Sequence, residues 1–162
     1  MSLDEEATFR GNLTHSREAA LVVADYFRRL GYEVDVPRTK IRPTFEERAA
    51  YGDEGVDVWI CRPDSMIRSK VEVKGRSLDF SGADDYPFAT VNVDRVVKVA
   101  TYGLAVLYVS TNSALTHGCF ILGRTSPHWL IEEGTDPRRG YSPYPIYRCP
   151  IGLCHFRDLT PR

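Results

Sequence analysis

The segment GVDVWICRPDSMIRSKVEVKGR, residues 55–76, constrains the fold of this chain more than any other part of the sequence. Two strand-like runs with alternating valines, 56–61 and 68–75, flank turn-forming residues that include Pro63, Asp64 and Ser65. Short β-branched runs on either side of such a turn predict a β-hairpin. A turn centred on Asp64 and Ser65 also fixes which residues of the two strands face each other.

Charged side chains interrupt both strands of this hairpin at matching positions. Because side chains alternate along a strand, Lys70, Glu72 and Lys74 lie on one face of the second strand, and Asp57 shares a face with Trp59 in the first. The expected register places Asp57 directly opposite Glu72. Facing residues of neighbouring strands have Cβ atoms roughly 4.5–5.5 Å apart, so this pattern predicts two carboxylates in close proximity.

Two facing carboxylates repel each other, so removing either charge would be expected to stabilise the chain unless a cation lies between them. A hard divalent cation such as Mg²⁺ prefers oxygen ligands of this kind and makes a bound water more acidic. Lys74, two residues beyond Glu72, is placed to position that water, to accept its proton or to hold a phosphate oxygen. The alternative is a solvated face of an edge hairpin with alternating charges.

The remaining pattern predicts an α/β fold with a central mixed β-sheet flanked by helices. An amphipathic helix is predicted over 15–30, and further elements follow along the chain: strands at 32–37, 88–93, 104–111 and 118–124, and a helix at 94–103. We expect a single domain over residues 1–162, with a core at about 14–124. Six of the ten prolines fall between positions 127 and 161, which predicts an irregular Pro-rich C-terminal extension over 125–162 with one strand near 145–149.

Composition narrows the possible function classes without choosing one. The chain is 43% hydrophobic and 27% charged with a net charge of −1, which is typical of a globular protein and unlike a strongly basic nucleic-acid-binding domain. A polyanionic partner would therefore contact a local basic patch. The sequence shows neither a signal peptide nor an apolar run of membrane-spanning length, so we expect a cytoplasmic protein with free thiols and no membrane partner.

The aspartate followed in the next strand by Glu72-Val73-Lys74 resembles the motif of the PD-(D/E)XK nuclease superfamily, which has the restriction-endonuclease-like fold. The resemblance covers about residues 14–124, with a first helix, a mixed sheet and a strand–helix–strand run. It implies that Asp57, Glu72 and the carbonyl of Val73 bind Mg²⁺ (or Mn²⁺), and that Lys74 orients or activates water to hydrolyse phosphodiester bonds, most often in DNA. The resemblance further implies that the chain forms a homodimer and that it is similar to small phage or prokaryotic nucleases.

Two features depart from that family or extend it. Val56 stands where the family often has proline, and no Gln-x-x-x-Tyr motif follows the strand, so the sub-branch stays open. Glu18 resembles the first-helix acid that some branches add to the metal site. It also fits a simpler role, because acids are favourable near a helix N-terminus.

Basic residues around the hairpin are candidates for contacts with nucleic acid, because Lys and Arg contacts with phosphates dominate DNA affinity. The candidates are Arg76, Lys98, Lys40 and Arg42. Solvated surface charges are the alternative for each of them. Two other hypotheses stay open for the whole chain: a catalytically inactive nucleic-acid-binding or assembly module with the same fold, and an unrelated α/β interaction domain.

The C-terminal segment CPIGLCH offers a possible structural zinc site. Cys149, Cys154 and His155 have a spacing within the loose range of zinc ligands. The pattern lacks a regular second pair of ligands, so a core role for the cysteines is the alternative.

Overall fold

The computed structural model describes residues 3–37, 57–103, 106–135 and 143–161. Its helices and strands follow in this order: α1 (Leu3–Arg29), β1 (Glu33–Asp35), β2 (Val58–Cys61), β3 (Arg68–Gly75), β4 (Thr90–Arg95), α2 (Val96–Tyr102), β5 (Val106–Thr111), β6 (His117–Leu122), β7 (Leu130–Gly134), β8 (Tyr144–Pro150) and β9 (His155–Asp158). Short 3-10 helices span Gly123–His128 and Ile151–Leu153. The predicted α/β class is confirmed.

The larger sheet is built around β3. Within the described residues it has six strands in the order β1-β2-β3-β5-β6-β9, and β3 pairs antiparallel with β2 but parallel with β5. The predicted mixed sheet is therefore confirmed. The hairpin register is also confirmed, because Val58 faces Val71 and Trp59 faces Lys70. Asp57 lies one residue before β2, at the point where the chain enters the hairpin.

The first helix begins earlier than the sequence pattern indicated, at Leu3, and it ends at Arg29, one residue before the predicted end. Thr14 and Ser16 are residue types that favour helix N-caps, which is why the pattern placed the start of the helix beside them. Gly31 follows the helix with a φ of 84°, a left-handed conformation that glycine adopts at low cost. No helix in the described ranges combines the length and the apolar character needed to cross a membrane.

One face of the larger sheet is covered by α1. The apolar side of the helix, including Val23 and Phe27, packs against Val71 and Val73 of β3. The alternation along β3 then directs Glu72 and Lys74 to the opposite face of the sheet. The position of α1 therefore decides which face of β3 carries the charged residues.

A second, three-stranded sheet packs on part of that opposite face. Its order is β4-β8-β7 within the described residues. Side chains from both sheets share one buried cluster, in which Val91 and Cys149 of the small sheet meet Tyr108 and Ile121 of the large one. Residues 88–93 were predicted to form a strand, and the structure places the corresponding strand, β4, in this second sheet.

The strand expected near 145–149 is present as β8, but the irregular character expected for the rest of the C-terminal extension is not confirmed. Residues after 125 form β7, β8 and β9, which complete both sheets. The prolines misled the interpretation because Pro145 and Pro150 lie at the two ends of β8, where they do not interrupt the middle of the strand. The extension also contributes to the core between α1 and the larger sheet, where Leu159 is 1% exposed.

The C-terminal segment is joined to the end of α1 by an arginine. The guanidinium of Arg29 donates hydrogen bonds to the carbonyl oxygens of Leu159 and Thr160, at 2.6 and 2.7 Å. These bonds connect positions that are about 130 residues apart in the sequence. Arg29 therefore joins the end of α1 to the segment that follows β9.

Asn112 holds the turn between β5 and β6 and provides the first testable prediction. Its buried amide donates to the Phe80 carbonyl and the Thr116 hydroxyl, while its oxygen accepts from the Thr116 and His117 N–H groups, all at 2.9–3.2 Å. Replacing Asn112 by Ala is expected to lower the free energy of unfolding by about 2–4 kcal/mol, because buried polar groups lose their partners. Urea denaturation measures this change. The matched control Ser113→Ala, at an exposed position, is expected to change it by less than about 0.5 kcal/mol.

Candidate functional site

Asp57 is held against β3 by a main-chain hydrogen bond. The Val73 N–H donates to Oδ2 of Asp57 at 2.7 Å, which keeps the half-buried carboxylate beside Glu72. Burial, together with the negative charge of Glu72, raises the pKa of Asp57 from 3.8 to about 7. The Val73 N–H, Lys74 and Lys98 act in the opposite direction and are outweighed. The predicted convergence of Asp57 and Glu72 is therefore present in the structure.

Glu72 is the most buried charged residue of this site, with 4% of its surface exposed. Its Oε1 atom lies 2.9 Å from Nζ of Lys74 and 2.6 Å from Nζ of Lys98. Both ammonium contacts involve the same carboxylate oxygen. Lys74 was predicted to belong to the site, whereas Lys98 was predicted to contact nucleic acid, and the structure brings its ammonium group into the carboxylate cluster.

Asp94 is a member of the site that the sequence did not indicate. Its Oδ2 lies 2.8 Å from Nζ of Lys74 and 3.7 Å from Nζ of Lys98. Burial alone would raise the pKa of Asp94, but the two ammonium groups outweigh it and hold the pKa below its ordinary value. The available signal was the spacing of Asp94 and Lys98, four residues apart at the start of a predicted helix, which is typical of an ion pair.

The junction between β4 and α2 positions both of these residues. The pairing of β4 with β8 shifts between Asn92 and Arg95, so Asp94 lies in an irregularity of the ladder. Irregularities of this kind redirect a side chain that regular alternation would send elsewhere. The helix α2 begins at Val96 and places Lys98 one turn after Asp94. Two separate parts of the chain, β3 and the β4–α2 junction, therefore meet at one charged cluster.

The charges of this cluster do not balance. In the described part of the chain it contains the carboxylates of Asp57, Glu72 and Asp94 and the ammonium groups of Lys74 and Lys98. Glu72 and Asp94 each contact both ammonium groups. Asp57 has no such direct contact among the described residues, and the raised pKa shows the cost of ionising it. Asp57 is therefore the carboxylate that an added cation would stabilise most.

Tyr108 borders the same cluster from β5. It pairs with Glu72 across the parallel strands, and its hydroxyl group is buried with no hydrogen-bond partner among the described residues. Burial, and then the negative charges of Asp94 and Glu72, raise the pKa of this hydroxyl, so the group stays a neutral donor. A buried donor without a partner is uncommon, and it is available to a water molecule or to an oxygen of a bound ligand.

The other predicted site residues do not contact the ammonium groups of this cluster or lie outside the described residues. Arg76 is half-buried, donates to the Asn92 carbonyl at 2.7 Å and interacts electrostatically with Asp94, but burial outweighs this interaction and lowers the pKa of Arg76. Glu18 is exposed on α1, so its role as a metal ligand stays a prediction. Lys40 and Arg42 lie outside the described residues.

The cysteines are free thiols, as the sequence predicted. Cys119 and Cys149 are buried, and the Sγ atom of Cys149 lies 3.7 Å from that of Cys154. His155 is exposed on β9. Over the ranges that the structure describes, no three His, Cys, Asp or Glu side chains are grouped so that they could hold a metal ion. The zinc hypothesis for Cys149, Cys154 and His155 therefore gains no support.

The same observation limits how a hard cation could bind near Asp57. Its ligands would be two carboxylates and main-chain or water oxygens, not three acidic side chains. The carbonyl of Val73 fits this set, because the N–H and C=O groups of one strand residue point to the same edge, and its N–H group already meets Asp57. Mg²⁺ is commonly bound by one or two carboxylates with several waters, so the residues present fit such a cation.

Comparison of the chain with protein-family models, with curated proteins and with solved structures found no match in any of the three. The interpretation of this site therefore depends on its geometry and charge.

The raised pKa of Asp57 leads to a prediction about stability without metal. The pKa of Asp57 is about 7 in the folded protein, above the ordinary value of 3.8. As the pH rises between these two values, the unfolded chain gives up the proton of Asp57 more readily than the folded protein does, so the free energy of unfolding falls. We expect Asp57→Asn to become more stable than the wild type over this interval, by on the order of 1–3 kcal/mol at its upper end. Denaturation in the presence of a chelator at several pH values measures the difference. Asp64→Asn, in the exposed turn of the hairpin, is the control, and a difference that does not vary with pH would contradict the prediction.

Proposed function

We propose that this chain is a divalent-metal-dependent nuclease that hydrolyses phosphodiester bonds in DNA. The observation that carries this proposal is the position of Asp57, a carboxylate without a direct ammonium contact in the described cluster, held beside Glu72 by the Val73 N–H. Placing two negative charges together at a half-buried position costs folding free energy. Such an arrangement is expected where a bound cation compensates the cost.

The order of elements supports the resemblance to the PD-(D/E)XK superfamily. The first helix α1 is followed by three antiparallel strands, β1, β2 and β3, and then by the run β4–α2–β5. The last strand of that run returns parallel to β3. This order agrees with the first helix, mixed sheet and strand–helix–strand run that the family resemblance implied.

Asp57, Glu72 and the carbonyl of Val73 would hold the cation in this proposal. A bound Mg²⁺ or Mn²⁺ would supply positive charge where negative charge develops on the phosphate. Both contacts with lysine involve Oε1 of Glu72, so the second oxygen of this carboxylate is the one that a cation would use. Asp57 must lose its proton to become a ligand, so cation binding should strengthen as the pH rises toward 7 and beyond.

Lys74 and Lys98 would contact the substrate side of the site. Their ammonium groups lie within 2.9 Å of Glu72, and Asp94 holds Lys74 from the other side at 2.8 Å. Two carboxylates around one ammonium group fix its position more firmly than a single surface partner would. Lys74 is thereby placed to orient the attacking water or to contact a phosphate oxygen, and Lys98 adds positive charge close to the reacting phosphate.

A specific observation also favours the second candidate function, a catalytically inactive nucleic-acid-binding or assembly module. Glu72 and Asp94 are already neutralised by Lys74 and Lys98, so most of the cluster is electrically satisfied without metal. A structural ion-pair network would look the same around these four residues. Asp57 distinguishes the two functions. A nuclease needs this additional carboxylate as a metal ligand, whereas a structural ion-pair network does not need it.

Nicking of supercoiled plasmid separates these functions. We expect the wild-type protein to nick DNA in Mg²⁺ or Mn²⁺ and to lose this activity in a chelator. Asp57→Asn keeps an oxygen that can accept the Val73 hydrogen bond but removes the charge, so nicking should disappear while folding is retained. The control Asp64→Asn changes an exposed aspartate of the hairpin turn and should nick as the wild type does. DNA binding without nicking in either metal would favour the inactive module.

A further inference from the structure

A row of alternating cationic and aromatic side chains leads from the hairpin to the carboxylate cluster. The guanidinium carbon of Arg68 lies 5.4 Å from the centre of the Trp59 ring, and Nζ of Lys70 lies 5.5 Å from the same ring. Nζ of Lys70 is also 5.1 Å from the ring of Tyr102. The ring of Tyr102 in turn lies 5.5 Å from Nζ of Lys98, which contacts Glu72.

The strand register places this row on the same side of the sheet as the cluster. Trp59 faces Lys70 across the hairpin, and Lys70 alternates with Glu72 and Lys74 along β3. The helix α1 covers the other side of these strands. The second sheet covers this side further along, over β5 and β6, where Tyr108 and Ile121 are buried.

The row is therefore a partly exposed surface beside the cluster. Trp59, Lys70 and Tyr102 are half-buried, and Arg68 is exposed. A half-buried ring keeps part of its surface available to a ligand. Lys70 forms no ion pair within the described part of the chain, and its ammonium group lies near the two rings. Contacts between a cation and a ring at partly exposed positions are weak, and Arg68 also forms an exposed ion pair with Asp35 at 3.2 Å. Both cations can therefore turn toward a phosphate without a large cost.

We propose that this stacking row, formed by Arg68, Trp59, Lys70 and Tyr102, binds a single-stranded segment of nucleic acid. Bases would stack on the rings of Trp59 and Tyr102, and backbone phosphates would contact Arg68 and Lys70. A base in an intact duplex is covered by its neighbours and cannot stack on a protein ring without leaving the helix. Tyr102, the last residue of the row, lies beside Lys98, which contacts Glu72. The inference rests on the proposed function in one respect, since cleavage of the bound strand would occur at that cluster.

Binding measured in a chelator tests the row separately from cleavage. Fluorescence anisotropy would compare labelled oligodeoxythymidylate with a duplex of equal length. We expect the single strand to bind more tightly than the duplex. Trp59→Ala should weaken binding of the single strand about tenfold, whereas Trp59→Phe, which keeps an aromatic face, should retain most of it. Lys70→Gln should reduce the slope of log affinity against log salt concentration by about 0.7, which corresponds to one phosphate contact on a single strand.

Arg157→Gln is the matched control for the charge change. Arg157 is exposed on β9, at the opposite edge of the larger sheet from the hairpin, and it should change neither the affinity nor the salt slope. Circular dichroism of each variant checks the fold. If Trp59→Ala does not fold, the salt slope of Lys70→Gln still tests the row, and Trp59→Phe shows whether an aromatic face at position 59 is sufficient for binding. Tighter binding of the duplex, or equal effects of Lys70→Gln and Arg157→Gln, would overturn the proposal.

The two proposals can fail independently. If single-strand binding depends on Trp59 and Lys70 while no metal supports cleavage, the stacking row is supported and the nuclease function is wrong. If metal-dependent cleavage occurs while binding is the same in the wild type, Trp59→Phe, Trp59→Ala and Lys70→Gln, the nuclease function is supported and the stacking row is overturned.

Discussion

Replacing Glu72 by Gln is expected to reduce metal-dependent cleavage of DNA by about 10³-fold, because the variant loses a charged ligand and part of the electrostatic stabilisation of the transition state. Glutamine has nearly the same size as glutamate, so the change tests charge rather than packing. The variant also removes the negative charge shared by Lys74 and Lys98, whose ammonium groups lie 2.9 and 2.6 Å from Glu72 in the wild type. Initial rates of plasmid nicking in Mg²⁺ and in Mn²⁺ measure the loss.

Glu133→Gln is the control for this variant. Glu133 is an exposed residue of β7, remote in sequence from the hairpin, so its replacement should leave cleavage unchanged. A Glu72→Gln protein that is folded and still cleaves within about tenfold of the wild-type rate would remove Glu72 from the mechanism.

The second large effect concerns stability. Glu72→Ala is expected to lower the free energy of unfolding by about 3–5 kcal/mol in the absence of metal, because it leaves buried ammonium groups without their partner. The side chain of Lys98 is 11% exposed and that of Glu72 is 5% exposed, so water replaces this interaction poorly. The sequence alone favoured the opposite sign, since two facing carboxylates predicted a gain on removal of either one. Denaturation by urea in a chelator decides between the two.

An exposed ion pair of the same sheet provides the matched control. Arg68 and Asp35 are 3.2 Å apart, but their side chains are 54% and 61% exposed. Asp35→Ala should therefore cost less than about 1 kcal/mol. The double variant Glu72→Ala/Lys98→Ala should cost less than the sum of the two single variants, because it removes both partners of the buried contact. A small cost for Glu72→Ala, close to that of Asp35→Ala, would contradict the account of a buried network.

The sequence predicted those features that local rules determine. The hairpin register followed from the turn residues around Asp64, and it correctly predicted that Asp57 and Glu72 converge. The end of α1 at Arg29 and the end of α2 before Gly103 followed from glycines that adopt positive φ values of 84° and 73°. Each of these features depends on residues that are close together in the sequence.

Features that depend on distant parts of the chain were not predictable in the same way. Asp94 enters the site through an irregular strand pairing between β4 and β8, whose partner residues are more than fifty positions away. After residue 125, β8 carries prolines near both of its ends, while β7 and β9 have only five and four residues, so this part of the sequence indicated irregular structure. Lys98 looked like a surface cation because nothing in its local sequence shows that Glu72 lies 2.6 Å away.

The central claim is that Asp57 and Glu72 together bind a divalent cation. A crystal structure of the protein with Mn²⁺, located by its anomalous scattering, tests this claim most directly. We expect one strong anomalous peak within bonding distance of an oxygen of Asp57, an oxygen of Glu72 and the carbonyl oxygen of Val73, and we expect it to be absent from Asp57→Asn crystals treated in the same way. A well-ordered site without a peak, with Glu72 still bound to both lysines, would contradict the claim.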